Sequence, residues 1–146
     1  MLRLEIPFVK IRYRRDSKGH VLALCYELWL WMRDEARQGR SRDKAEWPRW
    51  KENGGDVPKI PLQCPCCWNA GFRWGIDSEA EEKACGKCLI EWPRSQSPPH
   101  DTCSGEMSPF ELWCNAESPG EKADAADNML ALIEDAADIR GYVIVA

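Results

Sequence analysis

Cys64-Pro65-Cys66-Cys67 and Cys85-Gly86-Lys87-Cys88 are two C-x2-C pairs with seventeen residues between them. Two cysteines three apart turn both sulfurs toward one ion, while backbone N–H groups of the turn donate to the thiolates. Two such turns complete a tetrahedron with bonds of about 2.3 Å. The spacing is that of a four-cysteine zinc knuckle or ribbon, and Gly86 permits the tight turn of the second arm. Cys64, Cys67, Cys85 and Cys88 are therefore the expected ligands of one Zn2+. A shell of four thiolates leaves no open position for water or substrate, so the expected ion is structural. Cys66 offers a third sulfur in the first arm. His100 and Cys103 form an H-x2-C pair that, with Cys66 and Cys114, makes a candidate set for a second ion. The competing reading places Cys25 and Cys114 as buried apolar residues on helices.

Outward from that segment, the N-terminal residues 1–15 read as strand. Leu2, Leu4, Ile6 and Phe8 alternate with polar neighbours, and after Pro7 the parity switches to Val9, Ile11 and Tyr13. Asp16-Ser17-Lys18-Gly19 is turn chemistry. Residues 20–38 predict a helix with Val21, Cys25, Leu28, Met32 and Ala36 on one face, widened by Leu24 and Trp29, and with Gly39 as its stop. Trp47 and Trp50 would set two indoles against that helix. The zinc-binding segment spans residues 61–103, where Pro93, Pro98 and Pro99 block long helices. Ser108-Pro109 and Ser118-Pro119 are each a cap followed by a first-turn proline, predicting two helices over residues 108–139. Met129, Leu132, Ile133, Ala136 and Ala137 are the expected inner side of the second. Tyr142 to Val145 would return as a short strand beside the first. The expected architecture is a single α+β domain over 1–146, with a zinc knuckle or ribbon, a long N-terminal helix, a C-terminal helix and a short N-terminal sheet.

The chain of 146 residues suits one domain, and 44 % hydrophobic with 30 % charged residues are globular values. The longest apolar run, Val21 to Met32, is interrupted by Glu27 and is shorter than the roughly 20 residues a bilayer needs. The N-terminus shows no apolar core followed by a small-residue cleavage site. A cytoplasmic location follows as the expectation, with thiolates and metal in place of disulfides.

Charge is unevenly spread. Residues 1–62 hold 14 Lys and Arg against 9 Asp and Glu, whereas residues 63–146 hold 6 against 15. Four thiolates around zinc would add about two further negative charges to the second half. Only the N-terminal part is therefore suited to polyanions. Lys10, Arg12, Arg14, Arg15 and Lys18 are the candidate nucleic-acid or nucleotide contacts, with Trp47, Trp50, Trp68, Trp74 and Trp92 as candidate stacking platforms. The opposing reading makes the charges a solvated strand face and the indoles a core around the zinc. Glu121, Asp124, Asp127, Glu134, Asp135 and Asp138 read as the solvated face of the last helix.

Catalysis finds little footing. The chain has two histidines, no glycine-rich phosphate loop and no nucleophile elbow. A zinc deaminase needs H-x-E ahead of P-C-x-x-C, but Val21 and Leu22 follow His20 and position 69 holds Asn69. The expectation is a protein that is not an enzyme.

The order of features resembles small uncharacterised zinc-knuckle proteins of tailed bacteriophages and prophages. The matching residues are Trp29 and Trp31; Lys44, Trp47, Pro48 and Trp50; Cys64 and Cys67; Cys85 and Cys88; Trp92 and Pro93; Cys103; and Ser108, Pro109, Phe110 and Trp113. The resemblance covers most of residues 20–140. This chain departs from the pattern in its basic N-terminal strand, in Leu89 where proline is expected, and in Cys66 and Cys114. The resemblance implies a phage origin, a structural metal and a bacterial host cytoplasm, and it carries no activity. Together these features suggest a phage accessory protein that binds and inhibits or redirects a host protein or defence complex. The alternative is a zinc protein that binds nucleic acid or nucleotide through the basic N-terminal strand.

Overall fold

From Val21 to Trp29 every residue is buried, so the first helix is enclosed all round over its N-terminal half. The computed structural model describes residues 2–5, 18–42, 46–48, 79, 88–90 and 109–145. In chain order these form strand β1 (Leu2–Glu5), helices α1 (Lys18–Arg37), α2 (Pro109–Asn115) and α3 (Pro119–Asp138), and strand β2 (Tyr142–Val145).

The C-terminal end of α1 and both ends of α3 follow from their sequence. The first helix begins two residues before the predicted start and takes in Lys18 and Gly19, which read as a turn. It closes on Gly39, whose φ of 81° is a left-handed conformation that glycine adopts without a Cβ clash. Arg40 N–H then donates to Glu35 O at 2.9 Å, and Gly39 N–H to Ala36 O at 2.9 Å. That is the Schellman pairing, which satisfies carbonyls left open at a helix end. Helix α3 begins with Ser118 as cap, its Oγ accepting from Glu121 N–H at 3.2 Å, and with proline in the first turn. Glu121 Oε2 accepts from Glu117 N–H at 3.0 Å, so the first turn is tied from both sides. At the other end Arg140 Nη1 donates to Ala136 O at 2.7 Å, where a cation suits the negative end of the helix dipole.

The core forms where α1 meets α3. Leu22, Leu24, Leu28, Trp29 and Met32 of α1 pack with Met129, Leu130, Ile133, Ala136 and Ala137 of α3. Ala125 and Ala126, both buried, carry little bulk into this interface, which helps two helices approach closely. Leu130 is buried where the sequence favoured Leu132, which is half-buried. Helix α2 adds aromatic rings: Trp29 meets Phe110 edge to face at 6.2 Å and Trp113 at 5.8 Å. Such T-shaped pairs suit the ring quadrupoles.

Strands β1 and β2 pair in parallel, in a register running from Leu2↔Tyr142 to Glu5↔Val145. A parallel pair cannot be joined by a tight hairpin and needs a crossover. Here the helical body lies between the two strands in sequence.

The expected α+β class is corrected by this structure. The described residues are mostly helical, with helices of 20, 7 and 20 residues against two strands of four. The buried apolar set sits at helical spacing on α1 and α3, and the alternation that began at Leu2 yields strand only through Glu5 among the described residues. Among the described residues the sheet is a single two-stranded pair, and no zinc ribbon lies among them. The rest of the 1–15 strand region, and the 61–103 segment apart from Glu79 and residues 88–90, lie outside them.

Candidate functional site

Cys88 is the one expected zinc ligand among the described residues. It is half-buried and packs against the helical core. The two residues after it go further inside: Leu89 is 5 % and Ile90 3 % exposed, and both belong to the core cluster. The last arm of the C-x2-C pair therefore runs directly into the hydrophobic interior. Trp47, 2 % exposed, joins the same cluster.

Cys64, Cys67 and Cys85 lie outside the described residues, as do Cys66, His100 and Cys103. Among the described residues no group of three His, Cys, Asp or Glu side chains converges as a metal site. Cys25 is fully buried on α1, as expected of an apolar helix residue. Cys114 is exposed on α2, which corrects its reading as a buried one. The reason is local: α2 turns Pro109 and Trp113 inward, and the residue after Trp113 is carried to the outside.

Of the basic candidates, Lys10, Arg12, Arg14 and Arg15 lie outside the described residues, and Lys18 is exposed at the first turn of α1. Trp47 is too deeply buried to stack on a base, so its role is packing. Trp50, Trp68, Trp74 and Trp92 lie outside the described residues.

Polar contacts between α1 and α3 were not legible as a site. Tyr26, 8 % exposed, donates its hydroxyl to Glu134 Oε1 at 2.5 Å. Burial, then that hydrogen bond and the carboxylate's charge, push the Tyr26 hydroxyl up to about 12. Arg33 Nη1 and Arg37 Nη2 both reach Asp127, at 3.4 and 3.2 Å. Glu134 stays exposed and Asp127 half-exposed, and each in addition contacts α1. The usable signal was on α1, where Arg33 and Arg37 stand four apart on one face. Beyond the helix end, Glu35 pairs with Arg40, and Arg42 Nε lies 3.9 Å away. The hydrogen bond from Arg40 is the main cause that holds the Glu35 carboxyl below its ordinary range.

No family model matches the chain, and no curated protein or solved structure matches it.

The outer face of α3 remains strongly acidic after those pairs are set aside. Glu121, Asp124, Asp135 and Asp138 are exposed on it. Lys122 does not neutralise this stripe, because its Nζ sits 4.1 Å from the centre of the Trp113 ring. Arg140 is likewise turned onto a backbone carbonyl. No helix among the described residues is long and apolar enough to cross a membrane.

Proposed function

We propose that this chain is a zinc-stabilised, mainly helical binding protein of phage type that engages a host protein in the bacterial cytoplasm. The observation that carries the reading is the outer face of α3, where Glu121, Asp124, Asp135 and Asp138 are exposed while the opposite face is locked to α1. A row of carboxylates on a rigid helix favours partners with a cationic surface and steers their approach. Host proteins that handle nucleic acid carry such surfaces, and defence complexes belong to that class. The zinc ion, held by Cys64, Cys67, Cys85 and Cys88, is structural and supplies rigidity. The residue pattern shared with phage zinc proteins supports the origin.

The test is a quantitative pull-down from bacterial lysate with the wild-type chain and with a variant carrying Asp124→Lys, Asp135→Lys and Asp138→Lys. The expected result is a defined protein retained by the wild type, released by salt and lost with the variant. Equal retention by both would remove α3 as the binding face. Salt-sensitive retention of nucleic acid, abolished by reversing Arg12, Arg14 and Arg15, would establish the competing function instead.

A further inference from the structure

Among the described residues the exposed large apolar side chains are Leu112 at 43 %, Ile139 at 61 % and Val143 at 39 %. The last two stand together where α3 gives way to β2. Ile139 caps the helix, and Val143 follows the turn at Gly141, whose φ is 79°. Four residues of chain span at most about 14 Å, so both fall within one interface-sized patch. Beside them the exposed residues of α3 form a ridge. Glu121, Asp124, Asn128, Ala131, Asp135 and Asp138 succeed one another at steps of three and four, over about 25 Å of helix.

The carboxylates at this end work against the helix that carries them. The last turn of α3 contains no basic residue, and Asp135 and Asp138 are like charges three apart at the negative end of the dipole. Arg140, beyond that turn, is taken up by the Ala136 carbonyl. Packing does not account for Ile139, and helix stability does not account for Asp138. Residues that oppose local stability are expected where function requires them. An apolar anchor rimmed by charge is the anatomy of a binding hot spot.

We infer that Ile139 and Val143, rimmed by Asp135 and Asp138, are the seat of a basic amphipathic helix of the partner protein. Its apolar side chains cover Ile139 and Val143, and its Lys or Arg side chains pair with the two carboxylates. Ala131 is small and exposed, so a helix can lie close along the ridge. The inference rests on the acidic face proposed above and places its anchor at the C-terminal end of α3.

The probe is a synthetic helical peptide of leucine and lysine at amphipathic spacing, with its leucine–glutamate counterpart as control. Isothermal titration calorimetry compares the full-length chain with Ile139→Ser, Asp138→Asn and Leu112→Ser. The wild type should bind the lysine peptide and not the glutamate one. Ile139→Ser should weaken binding about fivefold or more at an unchanged melting temperature. Asp138→Asn should weaken it about twofold or more while raising the melting temperature by about 1–3 °C, since the clash with the dipole is relieved. Leu112→Ser, an equally exposed position on α2, should bind as the wild type does. Full-strength binding by Ile139→Ser, or equal weakening by Leu112→Ser, would overturn the anchor while leaving the acidic face standing. A dimer of the chain alone that Ile139→Ser dissolves would overturn it in favour of a second copy. No binding of the lysine peptide by the wild type would overturn it as well, and the lysate pull-down then decides the acidic face separately.

Discussion

Tyr26 and Glu134, 108 residues apart in sequence, share one hydrogen bond of 2.5 Å that joins α1 to α3. The phenol is buried beside Glu27 on a largely apolar stretch of its helix, and the carboxylate is exposed on its own helix. A buried hydroxyl has to find a partner, and this partner fixes how the two helices are rotated against each other. Tyr26→Phe should cost about 1–1.5 kcal/mol in urea unfolding, because Glu134 regains water when the phenol is lost. The folded hydroxyl titrates near 12 against an ordinary 10.0. A raised folded value means that this contribution is fully present below about pH 10 and fades as pH rises through about 12. Wild-type stability should fall over that interval more steeply than that of Tyr26→Phe, and parallel curves would refute the assignment.

Gly19 lies under the ring of Tyr142, and a Cβ built there would meet the ring carbon Cε1 at 2.5 Å. In an open helix Gly→Ala stabilises by about 1 kcal/mol. Here the sign should reverse, with Gly19→Ala costing about 1–3 kcal/mol through overpacking. In a Tyr142→Ala background the same substitution should become stabilising. A double-mutant cycle on melting temperature reads that change of sign directly.

Ser118→Ala removes the cap of α3 and should destabilise the chain by about 1 kcal/mol. Ser118→Asp should restore most of it, since a carboxylate also accepts from the Glu121 N–H. Chemical denaturation of the three chains decides between a cap and a mere loop residue.

Asp127 is shared by Arg33 and Arg37, but its surroundings are partly solvated, with side-chain exposures of 22 %, 52 % and 42 % for Arg33, Arg37 and Asp127. Asp127→Asn should therefore cost less than about 1 kcal/mol, and the cost should shrink in molar salt. A large, salt-independent loss would mean that the cluster is more shielded than these exposures indicate.

Complete chelation of the metal should abolish cooperative unfolding, because a four-thiolate zinc site is worth about 10–16 kcal/mol and most domains have less net stability than that. Calorimetry with and without a strong chelator is the check, and superimposable transitions would refute it.

The helical body was legible because its signals are local. Val21, Cys25, Leu28, Met32 and Ala36 keep helical spacing, Gly39 stops α1, and Ser118-Pro119 starts α3. The fold class was misread because alternation at Leu2, Leu4, Ile6 and Phe8 weighs as heavily in a sequence as a helix does. Strand formation depends on a distant partner, which Leu2–Glu5 finds in Tyr142–Val145, while Ile6 and Phe8 lie outside the described residues. Burial of Leu89 and Ile90 escaped notice for a similar reason. Two aliphatics after a cysteine have no period, so nothing local announces that they enter a core built more than 20 residues away on either side. Asp127 and Glu134 looked like solvent charges for want of knowledge of which α1 residues face them. Pairing across helices is set by rotation about the axis, which composition does not encode.

The parallel pairing of Leu2–Glu5 with Tyr142–Val145 closes a loop of almost the whole chain. Closure of so long a loop carries an entropic cost that nothing repays until the segments between are already ordered. The helices have neighbours nearby in sequence for their first turns, whereas the ladder between the two strands forms only across this distance. Their amide protons should consequently be the last to gain protection during refolding and the first to exchange, making the strand pair a late seal on a body assembled without it.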